Sequence, residues 1–221
     1  RELCQEGVIG RVSGARCRTS HGGPEVYYAG VQSFFGETEA DRESLWFFDA
    51  GQASVGALFD MGVYAVSSLV AILGMVRRVT GRVTTFDKPT QLEDGATLLL
   101  EFESGAMATA ETSWCDPART RELSVHGTAG KLTAPGADGE ALSLWTPTSY
   151  TDEGAPVSCT AQMCALISTN AHTHFVDCVR QGRQPPLSHA WAARHVCEVL
   201  LAGLTSSRQG RVVDLSTSPA P

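Results

Sequence analysis

The longest regular pattern of apolar positions lies between Gly56 and Gly74. Leu58, Met61, Ala65, Leu69 and Leu73 recur there at three- and four-residue spacing, and Gly74 is placed to stop the helix. Strand patterns surround it. Residues 8–19, VIGRVSGARCRT, are β-branched and alternating. Residues 76–86 (VRRVTGRVTTF), 96–102 (ATLLLEF) and 106–113 (AMATAETS) predict three more strands. A hairpin turn at Glu103-Ser104-Gly105 joins the last two. Residues 121–127 (RELSVHG) lead through TAGK to a short strand at 131–133, and ALSLW follows at 141–145. HGGPEVYYAG, residues 21–30, reads as a turn-rich loop, 37–50 as a short helix with a packed aromatic connection, and 147–160 as loop. Two helices close the chain. One runs from Cys164 to Arg180 and stops at Gly182. The other is capped by Ser188 and runs to Arg208, with Gly210 behind it. A last strand, RVVDL, covers 211–215.

This order predicts an α+β fold, with a largely antiparallel, open-faced sheet and helices packed on one face. A chain of 221 residues can bury a substantial core, and we read 1–221 as a single domain. The opening RELCQEG looks like the tail of a helix running into a strand, so residues 1–7 read as the end of a link from a preceding domain.

Composition narrows the partners. The formal net charge is −7 and no basic run occurs, which argues against nucleic acid and against anionic membrane surfaces. The longest apolar candidate for a membrane span, Val63 to Val76, is broken by Ser67, Ser68 and Gly74. Seven cysteines, an odd number without a CxxC pair, fit reduced thiols and a cytoplasmic location.

Four motifs fail. GTAGK (127–131) lacks the phosphate-loop glycine, because Val125 stands there, and Leu132 replaces the Ser/Thr. No G-x-G-x-x-G occurs, so the chain carries no dinucleotide fingerprint. His172 and His174 are two apart on a predicted helix, a poor metal pair. Ser54 lies in GQASVG, without a nucleophile elbow.

Asp60 and Tyr64 remain. Four residues apart on a helix, they face the same way. Asp60 fits a dipole-favoured first turn and Tyr64 fits a core aromatic with a surface hydroxyl. Equally, the carboxylate can hold a substrate hydroxyl while the phenol exchanges a proton at a carbinol carbon. A phenol with a pKa of roughly 10 needs a nearby cation to act as a base near neutrality.

GALFDMGVYAVSSLVAILG strongly resembles the corresponding segment of the Gfo/Idh/MocA oxidoreductases, the glucose-fructose oxidoreductase and inositol dehydrogenase family. The family's Asp, Gly and His-or-Tyr fall on Asp60, Gly62 and Tyr64. The tyrosine form resembles the glucose-fructose oxidoreductase and dihydrodiol dehydrogenase side. EGVIGRV (6–12), HGGP (21–24), WFFD (46–49), RELSVHGTAGKL (121–132), HFVDCVRQGRQPPLS (174–188) and EVLLAGLTSSRQGRVVDL (198–215) follow in the family's order. The resemblance implies the C-terminal domain of a two-domain enzyme, with a Rossmann domain outside this chain binding NAD or NADP. It implies a sugar or polyol substrate, hydride transfer, Asp60 and Tyr64 as catalytic residues, and His21 as a substrate contact. It also implies a homo-oligomer formed through the sheet face. Without the cofactor domain the fragment is expected to be inactive. An NAD-dependent glycosidase of the same family and a non-catalytic dimerisation module are the alternatives.

Two departures stand out. Asp87-Lys88-Pro89 shares letters with the family's Glu-Lys-Pro but follows Asp60, so Lys88 reads as a solvated surface lysine. The family's triple glycine is reduced to Ser54-Val55-Gly56.

Overall fold

The computed structural model describes residues 1–35, 45–135, 141–149, 151–159, 170–185 and 189–217. Its strands are β1 (Val12–Ser20), β2 (Val76–Thr84), β3 (Gly95–Phe102), β4 (Met107–Ser113), β5 (Thr120–Gly127), β6 (Gly130–Pro135), β7 (Ser143–Trp145), β8 (Pro156–Ser158) and β9 (Val213–Asp214). Among the described residues they form one sheet in the order β8-β7-β6-β5-β1-β4-β3-β2-β9. Every neighbouring pair is antiparallel except β1 and β4, which run parallel with Ala15 beside Ala108 and Ser20 beside Ser113.

The period of two sorts each strand into faces. Ala15, Cys17, Leu98, Leu100, Ala108, Ala110 and Val125 point inward and are buried. The helices are α1 (Glu2–Gln5), α2 (Glu25–Phe35), α3 (Ala50–Ala53), α4 (Ala57–Asp60), α5 (Gly62–Leu73), α6 (Ala171–Arg180) and α7 (Ala190–Gln209) in chain order, and α5 and α7 pack on that face. Helix α5 lies on β1 and β4, where the inward residues are small (Ala15, Cys17, Ala108 and Ala110 among them) and allow a close approach. Helix α7 lies on β2. Arg16, Leu99, Met107 and Glu111 occupy the opposite, open face.

Several expectations change. The segment 21–30 is not all loop, because α2 begins at Glu25. Pro24 supplies a preset φ before the first turn and Glu25 suits the positive end of the dipole, so the Gly-Gly-Pro punctuation marks a helix start. The predicted helix from Gly56 to Gly74 is two helices broken at Met61. Met61 and Leu58 are buried as the pattern requires, and Gly74 ends the second helix. In the 37–50 segment, Trp46–Phe48 forms a single tight turn, and residues 36–44 lie outside the described residues. A short strand, β8, interrupts the 147–160 loop. The cap of α7 is His189, whose Nδ1 accepts from the Ala192 N–H at 3.2 Å, and Ser188 and Cys164 lie outside the described residues.

One buried polar group links helix to sheet. His195, on α7, is fully buried, and its Nε2 accepts the Val76 N–H at 2.9 Å. Burial lowers its pKa, opposed by the more distant charges of Glu198 and Glu103. A lowered folded-state value means that the unfolded chain binds the extra proton first. The contribution is therefore complete above the ordinary histidine value of about 6.5 and is lost as pH falls through the folded-state value. Urea unfolding at about pH 7.5 and about pH 5.0 should show the wild type losing more stability on acidification than His195→Gln does. Equal losses would show that His195 does not titrate against the fold.

Candidate active site

The parallel pairing of β1 with β4 decides what meets at one end of the sheet. Both strands finish there, so His21, just past β1, lies beside Trp114, just past β4, with the His21 N–H donating to the Ser113 carbonyl at 3.0 Å. Helix α4 crosses the same end and carries Asp60. Its start is fixed by Glu93, whose Oε1 accepts from the Gly56 N–H at 2.9 Å and the Leu58 N–H at 3.3 Å. The Glu93 carbonyl accepts from Ala57. These bonds satisfy helix-start donors that would otherwise be orphaned.

Asp60 is held from inside. Trp114, fully buried, donates its indole N–H to Asp60 Oδ2 at 2.8 Å. His21 Nε2 lies 3.6 Å from the same oxygen. The His21 Nδ1 accepts the Gly23 N–H at 2.8 Å, so the neutral ring carries its hydrogen on Nε2, facing Asp60 and Tyr27. The Tyr27 hydroxyl sits 2.9 Å from Nε2, and the two rings meet edge to face at 5.0 Å. Burial raises the Tyr27 pKa, helped by the Asp60 charge and the Tyr64 phenol and opposed by Arg121 and Arg119. Tyr27 is therefore a neutral hydrogen-bond donor near pH 7.

The expected residues are thus placed as follows. Asp60 and His21 come together, with the Asp60 side chain 21% exposed and the His21 residue 5%. Tyr64 stands at the rim, 58% exposed, within electrostatic reach of Tyr27. Tyr27, Trp114 and Glu93 escaped the sequence reading. Tyr27 was hidden by the loop assignment of 21–30. Trp114 and Glu93 act over long sequence separations that no local pattern reports.

Lys88 is not a solvated surface lysine. Its side chain is 6% exposed, and its Nζ donates to the Gly22 carbonyl at 2.7 Å and to Glu25 Oε1 at 2.9 Å. The turn before Pro89 is gathered by Asp94, whose Oδ2 accepts from the N–H groups of Phe86, Asp87 and Lys88. Burial pushes the Asp94 carboxyl up, but these bonds outweigh it and hold its pKa below the ordinary value. The gathered turn folds Lys88 inward.

A family model described as the GFO/IDH/MocA C-terminal domain matches residues 1–133. The chain belongs to the Gfo/Idh/MocA family. No curated protein matches it. Among solved structures, an NAD binding oxidoreductase from Klebsiella pneumoniae superposes with a TM-score of 0.77 at 19% identity, covering 98% of this chain and 62% of that one. GenD2 from gentamicin A biosynthesis, solved in complex with NAD, gives 0.68 at 26% identity, with coverage of 96% and 57%. Aldose-aldose oxidoreductase from Caulobacter crescentus, complexed with glycerol, gives 0.72 at 20% identity, with coverage of 97% and 58%. The chain therefore spans less than two thirds of these relatives. Its fold is that of a Gfo/Idh/MocA C-terminal domain, and Asp60, Tyr64 and His21 occupy one end of that fold's sheet.

Proposed function

We propose that this chain is the substrate domain of an NAD(P)-dependent oxidoreductase acting at a sugar-like or cyclic alcohol carbon, with Asp60 and Tyr64 as its catalytic residues and His21 contacting substrate. The observation carrying this reading is the cluster itself: a carboxylate pinned from within by Trp114, beside an imidazole and two phenols that reach the surface. A carboxylate, an imidazole and phenols move protons, and none can accept a hydride, so the set fits a nicotinamide partner. NAD or NADP, bound mainly by a domain outside this chain, supplies the hydride acceptor or donor. Relatives support the substrate class: one is an aldose-aldose oxidoreductase complexed with glycerol, another a levoglucosan dehydrogenase complexed with NADH and L-sorbose.

Each residue has a role that its position allows. Trp114 donates to Asp60 Oδ2, with His21 Nε2 3.6 Å from that oxygen, and on this reading Oδ1 accepts a substrate hydroxyl and orients the carbinol. Tyr64 gives its proton to the carbonyl oxygen as the carbon gains hydride and takes it back in oxidation, where the cation that the phenolate needs would come from outside this chain. Tyr27 accepts from His21 and donates inward to the buried Met61 Sδ at 3.8 Å, so its hydroxyl steadies the imidazole. The chain alone is inactive on this reading, because hydride transfer needs donor and acceptor carbons held in contact. The test is dinucleotide reduction by the whole protein across a panel of aldoses and inositols. Release of an aglycone without net reduction would instead support glycoside cleavage.

The open sheet face is proposed to join two copies. Leu99 and Met107 lie exposed there between two sets of ion pairs, Arg16 and Arg18 with Glu111 and Arg77 and Arg78 with Glu101. Light scattering should give an oligomer for the whole protein and a monomer for the Leu99→Asp, Met107→Asp double variant. An unchanged mass in the variant would move the interface elsewhere. The described cysteines are all free, and among the described residues no helix is long and apolar enough to cross a membrane. A cytoplasmic location is part of the same proposal.

A further inference from the structure

The loop between β2 and β3 touches every part of the candidate site. Glu93 fixes the start of the helix that carries Asp60. The Asp94 carbonyl accepts the Trp114 N–H at 2.7 Å, and the Trp114 indole in turn holds Asp60. Lys88 reaches the third part, the segment running from His21 to Glu25.

We infer that Lys88 is a positioning residue of this site: its buried ammonium holds the Gly22–Glu25 segment so that His21 keeps its Nε2 hydrogen on Tyr27, on the side that faces Asp60. The inference rests on the site proposed above. Three observations carry it. The ammonium bonds to Gly22 and Glu25, on either side of Gly23, the residue whose N–H fixes His21 Nδ1. Gly23 has a φ of +95°, and a Cβ there would fall 2.8 Å from Lys88 Cε and 2.9 Å from Nζ. The lysine therefore packs directly against the peptide that orients the imidazole, in a conformation that favours glycine. Glu25, its partner, opens α2, which presents Tyr27 two residues later.

The energetics favour an orienting role over a stabilising one. Burying an ammonium is costly, and a buried ion pair adds little stability compared with an apolar substitute of the same shape. The pair does fix geometry, because slippage would strip the buried ammonium of its two acceptors. Here the carbonyl, the carboxylate and the ammonium define one arrangement of five residues. Both the imidazole tautomer and the Tyr27 hydroxyl depend on that arrangement.

The test reads His21 directly. In the whole protein labelled with 15N-histidine, His21 is assigned by the cross-peaks lost in His21→Gln. Wild type should show a single tautomer hydrogenated at Nε2. Lys88→Met should keep a cooperative thermal transition but give mixed or exchange-broadened His21 signals, and Lys88→Arg should restore much of the wild-type pattern. An unchanged His21 pattern in folded Lys88→Met overturns the inference. Should Lys88→Met fail to fold, Glu25→Gln, which keeps the shape and removes the charge, is read the same way, with the same two outcomes. The tautomer needs neither substrate nor dinucleotide, so this readout stands even if the proposed reaction is wrong. If the reaction is right, Lys88→Met should also lower kcat by about 10- to 100-fold, with the KM for the dinucleotide unchanged.

Discussion

Tyr64→Phe is expected to lower kcat/KM of the whole protein by about 100- to 1,000-fold, the usual worth of one positioned general acid or base. That is about 3–4 kcal/mol of transition-state stabilisation. The variant is clean because Tyr64 lies at the rim, 58% exposed, so deleting its hydroxyl leaves the core untouched. Thermal unfolding should be unchanged. Loss of rate with an unchanged fold assigns the proton transfer to Tyr64. An unaffected rate would pass the role to Tyr27, whose hydroxyl lies 2.9 Å from His21 Nε2.

Gly56→Ala is expected to cost the fold heavily for a small chemical change. A Cβ at Gly56 would collide with the Glu93 carbonyl oxygen. The obstacle is backbone, and that oxygen already accepts the Ala57 N–H at 2.8 Å. The two segments must part, and the Glu93 carboxylate then loses the Gly56 and Leu58 N–H groups as well. Leaving such buried groups unpaired costs about 1–3 kcal/mol each, so a loss of about 3 kcal/mol is a modest expectation. For a domain of this size that lowers Tm by about 6–12 °C. Activity should fall with it, because Asp60 rides on the helix that begins here. A variant within about 0.5 kcal/mol of wild type would mean that the loop and helix do not depend on this contact.

The sheet was legible wherever periodicity and turn chemistry agreed. The strands around Leu98 and Ala110, the hairpin at Gly105, and the long last helix with Gly210 behind it all follow from local patterns. Asp60, Tyr64 and His21 were legible as residue types through family resemblance. Their surroundings were not. Strand pairing is a long-range property, and the parallel pairing that sets His21 beside Trp114 leaves no mark in either segment. Lys88 was misread for a related reason. A lysine beside proline looks like a turn on the surface, and only Asp94, six residues on, folds it inward. The helix at Glu25 was lost because Gly-Gly-Pro serves both loops and helix starts.

The most direct measurement is a crystal structure of the whole protein with its dinucleotide bound. The nicotinamide ring should face the cluster of Asp60, His21, Tyr27 and Tyr64, with room for a sugar-sized alcohol between them. A ring bound away from that cluster, or a Tyr64 hydroxyl sealed beneath another protein surface, would contradict it.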